Sequence, residues 1–180
     1  MSAMSIEGRA FAFGDGVNTD VMAPGLYFKE PMEVMARHCM EAIDPDFAAS
    51  VQPGDIVVAG RNFGVGSARE QAPMALQHLG VGAILAESFG RIFYRNALNF
   101  GIPVLVCADA GKIAAGDRLR VDPVAGVVEN LSTGRRHEAG ALPEHLMTMV
   151  MAGGLMPWLK QRIENGQLEN SKLDNGGRGG

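Results

Sequence analysis

Apolar and polar positions change period along this chain, and the changes divide it into elements. Residues 6–13, Ile-Glu-Gly-Arg-Ala-Phe-Ala-Phe, alternate closely enough for an opening strand, which Gly14-Asp15-Gly16 ends. Residues 17–25 read as a loop that holds Thr19 and Asp20 beside apolar neighbours. Residues 26–31 read as an exposed loop leading into a helix over about 32–40. From residue 55 the pattern becomes strand, helix, strand, helix, strand. Apolar runs at 55–59, 82–86 and 103–107 are the strands. Between them, Ala72, Ala75, Leu76 and Leu79 at helical spacing predict a helix over 68–79 that Gly80 stops, and Ser88 is placed to cap a helix over about 89–99.

Strands joined by single helices of this length predict a parallel sheet with right-handed crossovers, whose ligands bind beyond the carboxyl ends of the strands. Ser67 and Ser88 both fall on that edge. After residue 110 the runs shorten to strands near 116–122, 127–131 and 135–138 with turns between them, a small antiparallel meander. Helical segments follow near 143–152 and 157–165, separated by Gly153-Gly154. The expected organisation is one α/β domain over residues 1–168 and a disordered tail over 169–180.

The composition, with 47% apolar and 20% charged residues, suits a soluble globular domain. No apolar run reaches the roughly 18 residues needed to span a bilayer, and no basic-then-apolar leader opens the chain, so a cytoplasmic protein with no membrane partner is expected. A net charge of −4 without a basic cluster argues against nucleic acid as a partner. The two cysteines, Cys39 and Cys107, cannot complete a four-cysteine zinc site or hold an iron–sulfur cluster, and read as small buried apolar residues. His38 adjoins Cys39, but no second pair stands at ligand spacing, so no metal is expected on this chain alone. The 11 methionines are scattered rather than striped, which predicts core filling.

The chemistry concentrates in residues 60–72, Gly-Arg-Asn-Phe-Gly-Val-Gly-Ser-Ala-Arg-Glu-Gln-Ala. Gly60, Gly64 and Gly66 permit a tight turn and close backbone approach to a ligand. Ser67 then falls at the predicted helix start, where free N–H groups and the positive end of the macrodipole favour a carboxylate, helped by the donor fork of Arg69. The same residues also fit a capping box, with Ser67 and Glu70 satisfying orphan donors, and the two roles can coexist. Thr19 and Asp20 admit a plain turn role as well. No lysine follows Gly66 and the glycine spacing is not G-x-G-x-x-G, so the loop is not a nucleotide signature.

Three ordered motifs carry a resemblance over about residues 5–160. They are Gly14-Asp-Gly-Val-Asn-Thr-Asp20, Ala59-Gly-Arg-Asn-Phe-Gly-Val-Gly-Ser-Ala-Arg-Glu70 and Ser88-Phe-Gly-Arg-Ile-Phe-Tyr-Arg-Asn-Ala97. In these the chain resembles the small subunits of the isopropylmalate dehydratase and homoaconitase family, the separate-chain form of the aconitase swivelling domain. The resemblance implies a three-layer β/β/α fold with a central parallel βαβαβ unit. It also implies a hydro-lyase that moves a hydroxyl between adjacent carbons of a malate-type dicarboxylate or tricarboxylate, as in leucine biosynthesis. A large partner subunit, in a heterodimer or heterotetramer, would carry a [4Fe–4S] cluster, and this chain would bind no cofactor.

By the same resemblance Ser67 is the catalytic base, Arg69 the substrate-carboxylate arginine, and Thr19 and Asp20 the polar pair facing the site, with Gly66 and Ala68 lining the substrate. The family commonly has a second serine where this chain has Ala68, and histidine where it has Gln71. Substrate choice is associated with the loop Tyr27-Phe28-Lys29. Lys29 there suits a second carboxylate arm, as in homoaconitate- or dimethylmalate-like acids, or is a solvated loop charge. Isopropylmalate leads as the common activity of such subunits; citramalate or methylmalate, and a non-catalytic anion-binding or regulatory module, are the alternatives.

Overall fold

The computed structural model describes residues 4–166. The expected tail over 169–180 lies outside them. Seven strands form one hydrogen-bonded order: β1 (Ile6–Ala12), β2 (Ile56–Ala59), β3 (Ala83–Ala86), β4 (Val104–Val106), β5 (Arg118–Asp122), β6 (Val127–Asn130) and β7 (Arg136–Glu138), arranged β4-β3-β2-β1-β5-β6-β7. The first four are parallel and the last three antiparallel, as the change of pattern at residue 110 predicts. Strand β1 belongs to both halves. Its residues 10–12 pair in parallel with β2, and its residues 6–9 pair antiparallel with β5. The chain thus has the expected α/β fold, with two sheets sharing a strand and helices packed on them.

Burial follows the two kinds of sheet. Every residue of β2 and β3 is buried, as expected of parallel strands covered on both faces. Strands β5 and β6 bury alternate residues, Leu119, Val121, Val128 and Asn130, and leave the other face to solvent. Helices α1 (Thr19–Met22) and α2 (Met32–Ala36) pack against α4 (Gln71–His78), α4 against α5 (Arg91–Asn99), and α5 against α6 (Glu144–Met151) and α7 (Leu155–Glu164). A further short helix, α3, spans Phe47–Ser50. Cys39, Cys107 and the methionines 22, 35, 40 and 147 lie in the core, as expected, whereas Met151 and Met156 are exposed.

Four local expectations need correction. Helix α4 opens at Gln71, three residues later than predicted, so Ser67 is not at a helix terminus and no side chain among the described residues caps α4. The hydroxyl that would have capped is engaged by Thr19 instead, and Pro73 in the first turn sacrifices no bonded amide. Ser88 does not cap α5: its Oγ accepts the Asn62 amide at 2.8 Å, and Gly90 precedes the helix without a side-chain cap. Residues 17–25 are not all loop, because Asn18 accepts the Val21 amide at 3.0 Å and starts α1. Helix α2 stops at Ala36 rather than Met40, whose φ of 65° is incompatible with a continuing helix.

The stop of α4 follows the sequence. Gly80 N–H donates to Gln77 O at 2.9 Å and Val81 N–H to Leu76 O at 3.1 Å, the paired bonds of a Schellman turn. The registers Ala59 to Ala86 and Ala86 to Val106 bring β2, β3 and β4 to a common carboxyl edge. The loops that leave this edge carry the candidate site.

Candidate active site

Two loops beyond the sheet are laced together by their backbones. Gly16 N–H donates to Arg61 O at 2.8 Å, Gly64 N–H to Val17 O at 2.7 Å, and Thr19 N–H to Val65 O at 3.0 Å. The Asp15 carboxylate accepts the Arg61 amide at 2.7 Å. The second loop also runs beside the third motif, with Phe63 N–H donating to Ser88 O at 3.0 Å and Gly90 N–H to Phe63 O at 2.8 Å. All three sequence motifs therefore converge at one edge. Gly64 has a φ of 81°, and a Cβ there would stand 2.2 Å from Cγ of Phe93. A Cβ on Gly66 would stand 3.0 Å from Oγ1 of Thr19. These glycines serve loop-to-helix and loop-to-loop contact.

Ser67 projects from this lacing as an exposed residue. Oγ1 of Thr19, a residue only 3% exposed, lies 3.2 Å from Ser67 O and 3.4 Å from Ser67 Oγ. Thr19 has one hydroxyl proton and so can serve only one of these acceptors at a time. Among the described residues, the amides of Val65, Gly66, Ser67 and Ala68 make no hydrogen bond within the chain. Successive free amides in a loop form a concavity suited to an anion. The donors are thus those of the loop itself, not of a helix terminus.

Arg69 is bound on two sides. Its Nη1 meets Oδ1 of Asp20, and its guanidinium carbon lies 4.3 Å from the centre of the Phe28 ring. The turn carrying Phe28 thereby joins the cluster. Beside Phe28, the Tyr27 ring stacks on the imidazole of His38, centroids 3.7 Å apart and planes at 6°. Nδ1 of His38 is 2.6 Å from a Glu41 carboxylate oxygen. Neither His38 nor Glu41 belongs to a motif; the signal available in sequence was only a histidine within a predicted helix. Lys29 is exposed and has no ion-pair partner among the described residues, so it is not brought into the cluster. Ala68 is exposed beside Ser67, and Gln71 opens α4.

Comparison with known proteins shows the family. The pattern of the aconitase C-terminal domain family matches residues 19–109, the stretch that begins at Thr19 and contains both Ser67 and Arg69. The isopropylmalate/citramalate isomerase small subunit of Methanocaldococcus jannaschii is 45% identical over 165 residues, covering 90% of this chain and 98% of that one. The chain belongs to the family of 3-isopropylmalate dehydratase small subunits. A further relative, 3-isopropylmalate dehydratase small subunit 2 of Archaeoglobus fulgidus, is 46% identical over 88% of this chain and 96% of its own. A crystal structure of 3-isopropylmalate dehydratase from Methanocaldococcus jannaschii superposes with a TM-score of 0.83 at 37% identity, covering 91% of this chain and 99% of that one. Members of this family are small subunits of a hydro-lyase.

No group of three or more His, Cys, Asp or Glu among the described residues is placed to hold a metal ion. Cys39 follows α2 and Cys107 follows β4, both fully buried, and burial pushes both thiols up. No helix of the described residues is long and apolar enough to cross a membrane.

Proposed function

We propose that this chain supplies the proton-transferring serine and the carboxylate-binding arginine to an active site shared with a large subunit. In this reading the complex interconverts 2-isopropylmalate and 3-isopropylmalate by loss and re-addition of water. The observation that carries the reading is the convergence of Ser67, Thr19, Arg69 and Asp20 from two separate motifs at one sheet edge.

The alkoxide form of Ser67 takes a proton from the carbon next to the one bearing the hydroxyl and becomes the neutral hydroxyl. The C–H electron pair becomes the second bond of a carbon–carbon double bond as the hydroxyl departs. Re-addition with the two carbons exchanged completes the isomerisation, and Ser67 returns the proton. A free serine is a weak base at neutral pH and needs its alkoxide stabilised. Thr19 is placed to do this by turning its single proton from Ser67 O to Ser67 Oγ when the serine is deprotonated, alongside the free loop amides. Arg69 offers its remaining donors to a substrate carboxylate, with Asp20 and Phe28 holding the guanidinium plane. Gly66 and Ala68 leave that approach open.

A [4Fe–4S] cluster, which the family implies, belongs in this proposal to the large subunit, where it would polarise the substrate hydroxyl as a Lewis acid. The residues here fit that division: the thiols of Cys39 and Cys107 are buried on different elements and face no open site. Ser67 is exposed, and apolar Leu26, Ile92 and Val106 are exposed on the turn, α5 and β4. Such surface suits a partner that closes the site in a heterodimer or heterotetramer. The proposal places the complex in the cytoplasm, where free thiols such as these stay reduced.

The test is ultraviolet absorbance on adding isopropylmaleate, citraconate, homoaconitate and dimethylmaleate separately to the anaerobically reconstituted complex. Turnover of isopropylmaleate, abolished by Ser67→Ala in a complex that still assembles, is the expected result. No turnover of any acid by a complex with an intact cluster would overturn the reading in favour of an anion-binding module. Turnover of another acid alone would move the substrate and leave the residue roles.

A further inference from the structure

We infer that His38, held by Glu41, is a positioning residue that fixes the Tyr27–Phe28 turn beneath Arg69 and so governs selection among substrates that differ in their variable arm. The inference rests on the function proposed above.

The turn defines its own shape but not its place. Tyr27 N–H donates to Pro24 O at 3.0 Å, Phe28 N–H to Gly25 O at 3.3 Å and Glu30 N–H to Tyr27 O at 2.9 Å, all within residues 24–30. Tyr27 and Phe28 are only half-buried, and Leu26 is 85% exposed. What locates the turn is side-chain contact: Tyr27 and Phe28 both pack against the core, and their orientation is set by the face of Tyr27 on His38 and by Phe28 under Arg69.

His38 is itself fixed. A carboxylate only accepts, so Nδ1 of His38 carries the proton in its 2.6 Å contact with Glu41, and this bond sets the plane of the imidazole. The segment bearing both residues is anchored between them by Met40, whose N–H donates to Val21 O at 2.9 Å and whose side chain is fully buried. Met40 adopts a φ of 65°, a left-handed backbone that is unfavourable for a residue with a side chain. Strain of this kind persists where surrounding contacts over-determine the conformation.

The contacts close a circuit. Val21 holds Met40, His38 holds Tyr27, Phe28 faces Arg69, and Arg69 meets Asp20, the residue before Val21. Arg69, to which the proposed function assigns the substrate carboxylate, is thereby braced on the turn, and Phe28 stands beside the place where the rest of that substrate would lie. Displacing Tyr27 moves Phe28, and with it one wall of the site. Ser67 and Thr19 keep their own bonds to each other, and Ser67 meets the circuit through its carbonyl, which accepts from Arg69 N–H at 2.8 Å, rather than through its hydroxyl.

The decisive measurement is steady-state kinetics of the reconstituted complex on 2-isopropylmalate and on citramalate, which carries a methyl in place of the isopropyl group. His38→Ala should raise KM for 2-isopropylmalate about 10-fold with kcat within about 2-fold, and lower the 2-isopropylmalate-to-citramalate ratio of kcat/KM about 10-fold. His38→Phe, which keeps a ring face for Tyr27, should recover most of that ratio. On the full chain alone, His38→Ala should speed amide exchange at Tyr27, Phe28 and Glu30 about 10-fold while Leu76 in α4 is unmoved. An unchanged ratio with unchanged exchange overturns the inference, as does equal loss on both acids that tracks a loss of folded protein. A wild-type complex that turns over neither acid overturns the proposed function instead, while exchange at the turn still decides whether His38 holds it.

Discussion

The guanidinium of Arg69 lies over the ring of Phe28, 4.3 Å from its centre, and the same group meets the carboxylate of Asp20. Asp20 is exposed and Arg69 partly so, which makes the ion pair itself a minor source of stability. Its value is geometric. Three segments, the turn at 25–30, α1 and the serine loop, meet on one planar cation whose orientation they fix.

Lysine at position 69 would keep the charge and lose both the fork and the flat face. Arg69→Lys is therefore expected to lower kcat/KM of the complex by about 10²-fold, chiefly through KM, because orientation of the substrate carboxylate is lost. The melting temperature should shift by no more than about 2 °C, in keeping with a partly exposed pair. Steady-state hydration kinetics and a thermal melt read the two effects, and unchanged kinetics would reduce Arg69 to a surface cation.

Thr19 tests the base more directly. Thr19→Val keeps the shape of a side chain only 3% exposed while removing the hydroxyl that reaches Ser67. If that hydroxyl stabilises the alkoxide, kcat falls about 10²-fold with KM little changed, the scale seen when one preorganised donor is removed. Thr19→Ser should retain most of the rate. A variant whose KM rises instead would place Thr19 in substrate binding rather than proton transfer.

The parts of the molecule legible in sequence are those set by local pattern. Strands β2 and β3 are apolar at every position because both faces are covered, and the antiparallel strands alternate because one face is wet. The end of α4 is equally local, written in Gly80. What escaped depends on contacts distant in sequence. Ser67 and Glu70 match a capping box, yet the Ser67 hydroxyl is engaged by Thr19, 48 residues away, and the helix starts later. Helix α1 is four residues long, too short for a periodic signal, and is betrayed only by Asn18. Grouping Tyr27, Phe28 and Lys29 by adjacency missed that Phe28 turns to Arg69 and Tyr27 to His38, whereas Lys29 faces solvent.

Gly64 is expected to be the least replaceable glycine of the serine loop. An alanine Cβ would fall 2.2 Å from Cγ of Phe93, a buried ring packed edge-to-face on Phe63 at 5.3 Å. The backbone there is also left-handed, so Gly64→Ala combines steric displacement of the core with conformational cost, expected at more than about 3 kcal/mol. Gly16→Ala separates the two effects, since its φ is 68° but nothing among the described residues lies within 4 Å of the added Cβ. That variant should cost only about 1 kcal/mol. Urea denaturation of both decides the matter, and equal losses would show that Phe93 moves aside freely.

Asp109 offers a pH-dependent contact between the two halves of the sheet. It follows β4, and its carboxylate accepts from Nδ1 of His137 on β7 at 3.1 Å and lies 3.2 Å from Nζ of Lys112. The bond to His137 first, and then that to Lys112, hold its carboxyl below the usual carboxylate range. A carboxyl with a lower value folded than unfolded binds protons more readily when the chain is unfolded, so stability rises with pH across that interval. Its contribution is present above about pH 4, the ordinary value of an aspartate, and is lost as pH falls through the lower folded value. Asp109→Asn should therefore lower the urea midpoint at pH 7 and at pH 5, and the gap to the unsubstituted chain should close progressively below about pH 4. Because the Asp109 side chain is partly exposed to solvent, added salt should narrow the gap at pH 7 as well. A gap that persists unchanged at pH 3 would assign the loss to the shape of the side chain rather than to its charge.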